Sequence, residues 1–545
     1  MGIKGLNTWI STTFPGVMQA TQEGKGGGKG GKGKGGGKGG GAPTPYDHVL
    51  FDANGIVHQA CRKRPNEREV IRSIVQELDS LLRAFPPRMS VLIALDGPGP
   101  TAKLLEQRKR RIDRVLKSAR DAEAAIPGSA EAIRREELAL FEGRPPPSQK
   151  KPRRKGFDSL QVTPGTLFML RLREALEWYA ASRVAGEMSV LQPGGGAAPP
   201  PLIFVSGADV PGEGELKLLQ HLHAAQHWAA EAAEHHQSQP GGGAGHQHVV
   251  GAPPPSFLLV GPDADLLLLG LAAGVRNCDV LTTDANNNRK LFRVAPLCEA
   301  FERQLSLKGT PPSSQAAGGG PDGRVGFGNL HQLDFLVVAF LQGNDYLPKL
   351  RGAQLPRMWS RLASLLRSGE FAGQHLLRPT AEGVEIHLRL LVRLAGGSCD
   401  AAGPDSEDLD EPMDLDEDPD EDEEEGDEED DAGGQGGYGT ATRGAALAPF
   451  TSAADGSVGS GRKRAREPSP RYDVEAYLRC VGWCAAMYLS GICPDFGVAY
   501  TARAAPTAAQ LARWLQAQEA EAKAGELLPS IVLKGALQLL SNRSK

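Results

Sequence analysis

Four short apolar runs in the first half of the chain constrain its fold more than any other feature. They read "HVLFD" (48–52), "SVLIALD" (90–96), "LIFVSG" (202–207) and "FLLVG" (257–261). Runs of this length and composition, bounded by turn residues, are typical of buried strands. Helical patterns lie between and after them, at 67–84, 102–120, 164–182, 213–230 and 331–342. The alternation predicts an α/β fold, with a mostly parallel central sheet covered by helices on both faces.

Acidic residues follow every one of these predicted strands. In an open parallel sheet, chemistry takes place beyond the carboxyl ends of the strands, which meet at one edge. One further acid follows the apolar helix "LDFLVVAFLQGND". We therefore expect seven carboxylates at one edge of the sheet: Asp52, Asp96, Glu213, Glu215, Asp263, Asp265 and Asp345.

These acids are more informative as a set than singly. An aspartate before glycine is common in turns and helix caps, so each one alone has a structural explanation. Seven together would raise one another's pKa and oppose folding unless cations neutralised them. Oxygen ligands suit Mg²⁺ or Mn²⁺, and two such ions about 4 Å apart catalyse in-line phosphoryl displacement. The set therefore predicts a site for two Mg²⁺ (or Mn²⁺) ions, with Gly212 and Gly214 permitting close approach in "VPGEGELK".

A basic helix is predicted directly after Asp96, in "GPGPTAKLLEQRKRRIDRVLKSAR". Helical spacing places three cations and an amide on one face, namely Lys103, Gln107, Arg110 and Arg111. Such a face either grips a terminal phosphate or is an ordinary solvated surface, and the neighbouring acids favour the phosphate. His58, in the helix after Asp52, either stacks on a base or is a structural residue.

Composition indicates an intracellular protein with a polyanionic partner. Seven cysteines without framework spacing favour a reducing compartment, and neither a membrane span nor a signal pattern is predicted. The net charge is −5, but residues 405–431 carry 20 acids and no Lys or Arg, so the remainder carries +15. The net positive charge of this remainder favours binding to a polyanion.

The chain is predicted to have three parts. They are a catalytic domain at 1–395, a disordered acidic and Gly/Ser-rich linker at 396–470, and a small, mainly helical region at 471–545. Flexible inserts are predicted in the first part at about 22–42, 193–201, 231–255 and 308–325. The Lys/Gly-rich first insert either contacts phosphates or is a solvated expansion. The His-rich third insert either binds metal or is disordered, and its composition favours disorder.

The segment "GRKRAREPSP" (461–470) is a candidate nuclear localisation signal. It predicts a nuclear protein, with the cytoplasm as the alternative. A reporter fusion lacking 461–466 tests this expectation, because it should stay in the cytoplasm if the signal is active.

Motifs along the chain resemble a known family. In order, "MGIKGLNTWISTTFP", "FDANGIVH", "ALDGPGPTAKLLEQRKRR", "FDSLQVTPGTLFMLRL", "VPGEGELK", "GPDADLLLLGL" and "FLQGNDYLPKL" resemble the 5′→3′ exoribonucleases of the Xrn/Rat type. The opening "MGIKGL" also resembles the related flap endonucleases. The similarity covers 1–20, 46–120, 156–190, 202–225, 256–306 and 327–352, with weaker similarity at 472–500.

The resemblance implies that residues 1–395 form a nuclease catalytic domain with a PIN/flap-nuclease-like core, and that 471–545 is a partial second conserved region of the family. It also implies that the protein degrades single-stranded RNA with a 5′-monophosphate to nucleoside 5′-monophosphates. It implies that the seven acids bind the metals, that Lys103, Gln107, Arg110 and Arg111 select the 5′-phosphate, and that His58 stacks on the first base. A monomer is expected, and no protein partner is indicated.

The sequence departs from the family pattern near its C-terminal end. The family usually provides a tryptophan that stacks with His58, whereas "SGICPDFGVAYTARAAP" has none, so Phe496 or Tyr500 would take its place. The zinc knuckle of plant members is also absent from the sequence. Cys480, Cys484 and Cys493 are therefore interpreted as core residues on an apolar helix.

The sequence thus supports the hypothesis of a metal-dependent 5′→3′ exoribonuclease acting in RNA turnover or processing. A flap-type DNA nuclease is disfavoured because an enzyme that threads its substrate need not read a terminal phosphate. A catalytically weak RNA-binding scaffold is disfavoured because all seven acids are present.

Overall fold

Seven strands form the central sheet of the computed structural model. Their order is β1-β7-β6-β5-β2-β3-β4, and the five strands from β6 to β4 pair in parallel, while β7 and β1 add an antiparallel edge. The bounds are β1 (Met18–Ala20), β2 (Tyr46–Asp52), β3 (Pro87–Ala94), β4 (Leu202–Ser206), β5 (Phe257–Val260), β6 (Cys278–Thr283) and β7 (Arg289–Arg293). The mostly parallel sheet predicted from the sequence is confirmed.

Fourteen helices are found in the part of the chain that the structure describes. They are α1 (Leu6–Thr13), α2 (Ala53–Lys63), α3 (Glu67–Ala84), α4 (Thr101–Ala124), α5 (Ala130–Phe141), α6 (Leu167–Val184), α7 (Gly214–Gln237), α8 (Asp265–Ala272), α9 (Val294–Leu305), α10 (His331–Phe340), α11 (Leu355–Arg367), α12 (Leu388–Ala395), α13 (Val474–Ser490) and α14 (Ala508–Glu521). A second, antiparallel sheet has the order β10-β9-β8, from β8 (Leu377–Thr380), β9 (Gly383–Ile386) and β10 (Leu533–Lys534).

The structure describes residues 3, 5–20, 44–124, 126, 128–141, 156–185, 200–237, 254–262, 265–283, 289–306, 330–380, 383–396, 471–521 and 533–534. Most of the predicted linker and inserts lie outside these ranges. At the third insert, α7 continues to Gln237 and so includes the first seven residues of the predicted insert, 231–237. No helix among the described residues is both long and apolar enough to cross a membrane.

The central sheet is buried on both faces. Leu50 of β2 belongs to one apolar cluster, which includes residues of α7, α8, α10 and α13. Its neighbours Val49 and Phe51 belong to a second cluster, with residues of α2, α3 and α6. Because successive strand residues point to opposite faces, this alternation places helices on both sides of the sheet. Each fully buried side chain of this kind stabilises the fold by roughly 1.5–3 kcal/mol.

Local sequence explains where the helices begin. At α3, the side chain of Asn66 accepts a hydrogen bond from the Glu69 backbone N–H, and its amide donates to the Glu69 carboxylate. The first bond satisfies one of the backbone donors that the first helical turn leaves unpaired, and the second holds the two side chains together. Val70, Ile74 and Leu78 then recur every four residues and are fully buried. Helix α3 therefore matches the predicted range of 67–84.

The C-terminal region contributes to the same core as the sheet. Helix α13 is buried along nearly its whole length, and the Tyr477 hydroxyl donates to the Pro348 carbonyl over 3.1 Å. The ring of Tyr488 packs edge-on against Phe340, with centroids 5.0 Å apart. The predicted helical character of this region is confirmed, and it packs directly on α10. Cys480 and Cys484 lie in this buried face, whereas Cys493 lies beyond the end of α13 and is only partly buried, so its interpretation as a core residue of the helix was wrong.

Candidate metal and phosphate site

The ends of β2 and β3 are joined through one asparagine. Asp52 ends β2 and caps α2, where its side chain accepts a hydrogen bond from Asn54 N–H over 3.4 Å. The Asn54 side-chain oxygen accepts in turn from the backbone N–H of Asp96, over 3.3 Å. Because both acids leave parallel strands at the same edge, this link holds their backbones side by side. Asn54 was not singled out from the sequence, and "DANG" carries only an ordinary turn pattern.

Gly214 lies between the carboxylates of Asp52 and Asp96. Its N–H donates to Asp96 Oδ1 over 2.7 Å. A Cβ atom at this position would lie 2.7 Å from Asp52 Oδ1 and 3.2 Å from Asp96 Oδ1. Two carboxylate oxygens therefore lie within 3.2 Å of one point, and only glycine leaves that space open.

Glu213, Glu215 and Asp265 add buried charge to this edge. Burial raises the pKa of Glu215 well above its usual value, and the charges of Asp265, Glu213 and Asp52 raise it further. Burial also raises the pKa of Glu213, and Asp96 adds to this effect. Glu215 and Asp265 lie in the first turns of α7 and α8, where the helix dipole favours negative charge. Mutual repulsion of this kind favours binding of a cation.

Asp345 meets two cations from α4. Lys103 Nζ contacts both Asp345 and Glu213, the latter over 2.8 Å, and Arg110 Nη2 contacts Asp345 Oδ1 over 2.6 Å. Although burial alone would raise the pKa of Asp345, Lys103 and Arg110 lower it well below its usual value. Burial lowers the pKa of Lys103, but Glu213 and Asp345 outweigh it and hold the ammonium charged. We call the end of the sheet that carries the six described acids the acidic edge: Asp52, Asp96, Glu213, Glu215, Asp265 and Asp345. The basic helix α4 therefore contacts the acidic edge directly.

The structure gives the remaining predicted site residues no contact that assigns a role to them, or they lie outside the described part. Gln107 is half-buried on α4, whereas Arg111 is exposed and reaches Thr163 Oγ1 over 3.4 Å. His58 is half-buried on α2. Asp263 lies outside the described residues. The roles of these residues stay predictions.

The two candidate stacking residues differ in their surroundings. The carbonyl of Phe496 accepts from the N–H of Thr101, at the start of α4, and its side chain is exposed. The Tyr500 hydroxyl instead donates to the Ala504 carbonyl and accepts from Asp473 N–H, so its ring is fixed against Tyr477. Phe496 is therefore the better placed of the two beside the basic helix.

Two residues that the sequence did not single out support the acids. Lys217 is buried, and its ammonium donates to the carbonyls of Leu95 and Gly207 over 2.7 and 2.9 Å, which joins the ends of β3 and β4. Burial lowers the pKa of Lys217 to about 8. Tyr346, directly after Asp345, donates its hydroxyl to Glu213 Oε1 over 2.7 Å. Neither has a distinctive pattern beyond its place beside a predicted acid.

Replacing Tyr346 with Phe is expected to move the acid limb of the activity profile to higher pH. The Tyr346 hydroxyl lowers the pKa of Glu213, whose pKa burial has raised, so its removal raises that pKa further. Glu213 must be ionised to bind a cation, so a higher pH is then needed for activity. We expect about a tenfold loss near neutral pH, typical of one hydrogen bond to a charged group. The pH dependence of kcat/KM measures the effect.

The control for this variant is Tyr477→Phe. Tyr477 is equally buried but donates to a backbone carbonyl outside the acidic edge. Tyr477→Phe should lower the melting temperature without moving the acid limb. The same pH profile for Tyr346→Phe and wild type would show that the hydroxyl does not tune Glu213.

The donor set fits hard divalent cations. The described acids supply carboxylate oxygens alone. They follow β2 and β3, lie at the starts of α7 and α8, or lie in the turn after α10: Asp52, Asp96, Glu213, Glu215, Asp265 and Asp345. Oxygen ligands without imidazole or thiolate select Mg²⁺ or Mn²⁺ over softer metals.

Comparison with known proteins identifies the family of this chain. Residues 1–284 match the family model described as the XRN 5′-3′ exonuclease N-terminus, and the chain belongs to this family. A 5′-3′ exoribonuclease 2 homolog of Caenorhabditis elegans is 29% identical over 315 residues, which cover 56% of this chain and 28% of that protein. The homolog of Drosophila melanogaster is 27% identical over 398 residues, covering 65% of this chain and 39% of that protein. The family resemblance seen in the sequence is thus confirmed.

The coverage of these relatives is partial. The chain spans 28% and 39% of the lengths of these two proteins. Among solved structures, the catalytic core of Rad2 in complex with a DNA substrate matches 60% of this chain and 63% of its own, at 12% identity and a TM-score of 0.26. The fold assignment rests on the sheet and helix order described above.

Proposed function

We propose that this protein is a metal-dependent 5′→3′ exoribonuclease that degrades RNA with a 5′-monophosphate to nucleoside 5′-monophosphates. The observation that carries the proposal is the contact of Lys103 and Arg110 with Asp345 and Glu213. It brings two cations able to bind a terminal phosphate next to the carboxylates able to hold metal. Family membership supports the same activity.

The described side chains would divide the work. Arg110 presents a planar fork of donors to the terminal phosphate, and Lys103 adds a compact charge beside it. Tyr346 and the N–H of Gly214 orient Glu213 and Asp96, so that these carboxylates keep one geometry through turnover. Two divalent ions held by the acids would supply an activated water and neutralise the charge that develops on the phosphate.

Substrate binding would change the partners of the two cations. In this structure Lys103 and Arg110 are paired with Asp345. A terminal phosphate would compete with Asp345 and Glu213 for Lys103 and Arg110. Metal ions bound at the acidic edge would then supply the positive charge that these two carboxylates lose. Entry of RNA and of metal would therefore favour each other.

A purified sample with Mg²⁺, given RNAs that differ only at the 5′ end, tests the proposal. We expect 5′-monophosphorylated RNA to be hydrolysed to mononucleotides at least about tenfold faster than 5′-hydroxyl or 5′-triphosphorylated RNA, since one charge-assisted contact differs. Matching DNA should be a poorer substrate. Equal rates on 5′-monophosphate and 5′-hydroxyl RNA would refute the phosphate pocket.

The same assay separates the alternatives. Preferred cleavage of branched DNA would favour a flap-type nuclease, and binding of RNA without turnover would favour a scaffold. Release of long fragments in place of mononucleotides would show that the protein is an endonuclease.

A further inference from the structure

Two histidines and an aspartate converge at a second place, on the opposite end of α10 from Asp345. The Nδ1 atoms of His331 and His375 lie 3.1 and 2.9 Å from the same oxygen of Asp334, Oδ2. The three ligand atoms all lie within 4.8 Å of one another. Asp334 is fully buried, whereas the two histidine side chains are 13% and 18% exposed.

We propose that His331, Asp334 and His375 form a binding site for Zn²⁺ or a similar late transition-metal ion. Ligands about 2.0–2.1 Å from a tetrahedral ion are about 3.4 Å apart. The two nitrogen–oxygen spacings therefore need to open by only about half an ångström, while the two nitrogens already lie within 4.8 Å of each other. Two imidazoles and one carboxylate are a common set of three protein ligands for zinc. The partial exposure of both histidines gives an ion a path of entry and leaves the fourth position to water.

The carboxylate is already oriented for this role. The second oxygen of Asp334, Oδ1, accepts a hydrogen bond from the backbone N–H of Leu376 over 2.7 Å. This contact fixes the carboxylate plane and directs Oδ2 towards the imidazoles. Hydrogen bonds of this kind orient metal ligands and strengthen binding. The two rings lie close together, with centroids 4.9 Å apart, so small rotations bring both Nδ1 atoms onto one ion.

This site differs from the acidic edge in both chemistry and position. Imidazole nitrogen favours zinc, copper or nickel, whereas the oxygen-only set at the acidic edge favours Mg²⁺ or Mn²⁺. His331 and Asp334 belong to the first turn of α10, and His375 lies just before β8. Asp345 lies in the turn beyond the other end of α10. A bound ion would tie α10 to β8 and so steady the helix that leads to Asp345.

Zinc content of the full-length, untagged protein tests the proposal. After removal of metal with a chelator and addition of excess zinc, the wild type is expected to retain about one equivalent through gel filtration, measured by elemental analysis. The double variant His331→Asn/His375→Asn should lose that equivalent. It should also lose the rise in melting temperature that zinc causes in the wild type.

Two control variants locate the ion. His227 is an exposed histidine of α7 beside Glu231, and His227→Asn should keep the zinc. Asp265→Asn alters the acidic edge and should keep it too. Retention of a full equivalent by the double variant would place the zinc elsewhere, for example in the His-rich stretch 235–248, and would overturn the proposal.

Cobalt keeps the test decisive if the double variant does not fold. Co²⁺ added to the metal-free wild type should give the intense visible absorption of tetrahedral coordination, and equimolar Zn²⁺ should remove it. Absence of this band, or less than about 0.1 equivalent of zinc on the wild type, would show that the cluster is only a hydrogen-bonded group.

Discussion

Replacing Asp265 with Asn is expected to reduce RNA hydrolysis by at least about a thousandfold. Asp265 is 5% exposed at the start of α8, and its charge acts directly on Glu215. The amide keeps the size of the side chain but removes a charge that helps to hold a divalent ion. Loss of metal charge at the reacting phosphate costs several kcal/mol of transition-state stabilisation, which corresponds to this factor. Initial rates on 5′-monophosphorylated RNA in saturating Mg²⁺ measure it.

The same variant should be more stable than the wild type when metal is absent. The pKa of Glu215 is raised by burial and then by Asp265, so the folded protein binds this proton more tightly than the unfolded chain. Stability from such a group is present at low pH and is lost as pH rises through the raised pKa. Asp265→Asn removes part of the repulsion. In a chelator it should melt at a higher temperature than the wild type near pH 8, and the gap should narrow towards pH 5.

Magnesium should reverse that order, because only the wild type keeps the full ligand set. Asp209→Asn is the matched control, because Asp209 is an aspartate that likewise follows a strand of the sheet, here β4. Unlike Asp265 it is half-exposed, and it pairs with Arg173 over 2.8 Å. This change should alter activity less than about twofold, as expected for an exposed ion pair. Wild-type activity in Asp265→Asn would rule out the acidic edge as the metal site.

The central strands were predictable because their burial is visible in composition alone. In β2, Val49, Leu50 and Phe51 are all fully buried, so the strand is an unbroken apolar run. The antiparallel edge has no such pattern. Strand β7 reads "RKLFR", with polar residues at both ends, and β1 has three residues that pair with a segment about 270 positions away. Long-range pairing of this kind leaves no local periodicity for a sequence to reveal.

The clustering of the described acids was predictable because backbone topology dictates it. Parallel strands bring their carboxyl ends together, so acids that follow them meet whatever their separation along the chain. Side-chain pairing is a different matter. Helical spacing places Lys103, Arg110 and Arg111 on one face, yet only the first two reach Asp345, while Arg111 turns to Thr163. Which side chains on a face reach a neighbour depends on the angle at which the helix packs, and spacing does not encode that angle.

The same reasoning explains why Tyr346 was not anticipated. A tyrosine after "GND" is consistent with any buried turn, and its partner Glu213 lies 133 residues earlier. Its hydrogen bond to Glu213 becomes visible only when the structure shows that the turn after α10 lies beside the start of α7. The clustered carboxylates were therefore evident from the sequence, whereas a neighbour that changes the pKa of one of them, such as Tyr346 beside Glu213, became visible only in the structure.

Replacing Arg110 with Gln is expected to abolish the preference for a 5′-monophosphate. The guanidinium of Arg110 contacts Asp345 Oδ1 over 2.6 Å, and a guanidinium can make two parallel contacts with a phosphate. Its loss should lower kcat/KM on 5′-monophosphorylated RNA by about 10- to 100-fold, the range for a hydrogen bond to a charged group. On 5′-hydroxyl RNA the change should stay below about threefold, because no terminal phosphate is present to lose the contact.

The comparison of the two RNAs separates phosphate binding from positioning of Asp345. Lys103 still contacts Asp345 and Glu213 in the variant, so the acidic edge keeps a cation. Arg108→Gln is the control, since Arg108 is exposed on another face of the same helix and its loss removes the same charge. It should leave the ratio of the two rates unchanged. If Arg110→Gln lowers both rates by the same factor, Arg110 acts by holding Asp345 in place, and another group must read the 5′ end.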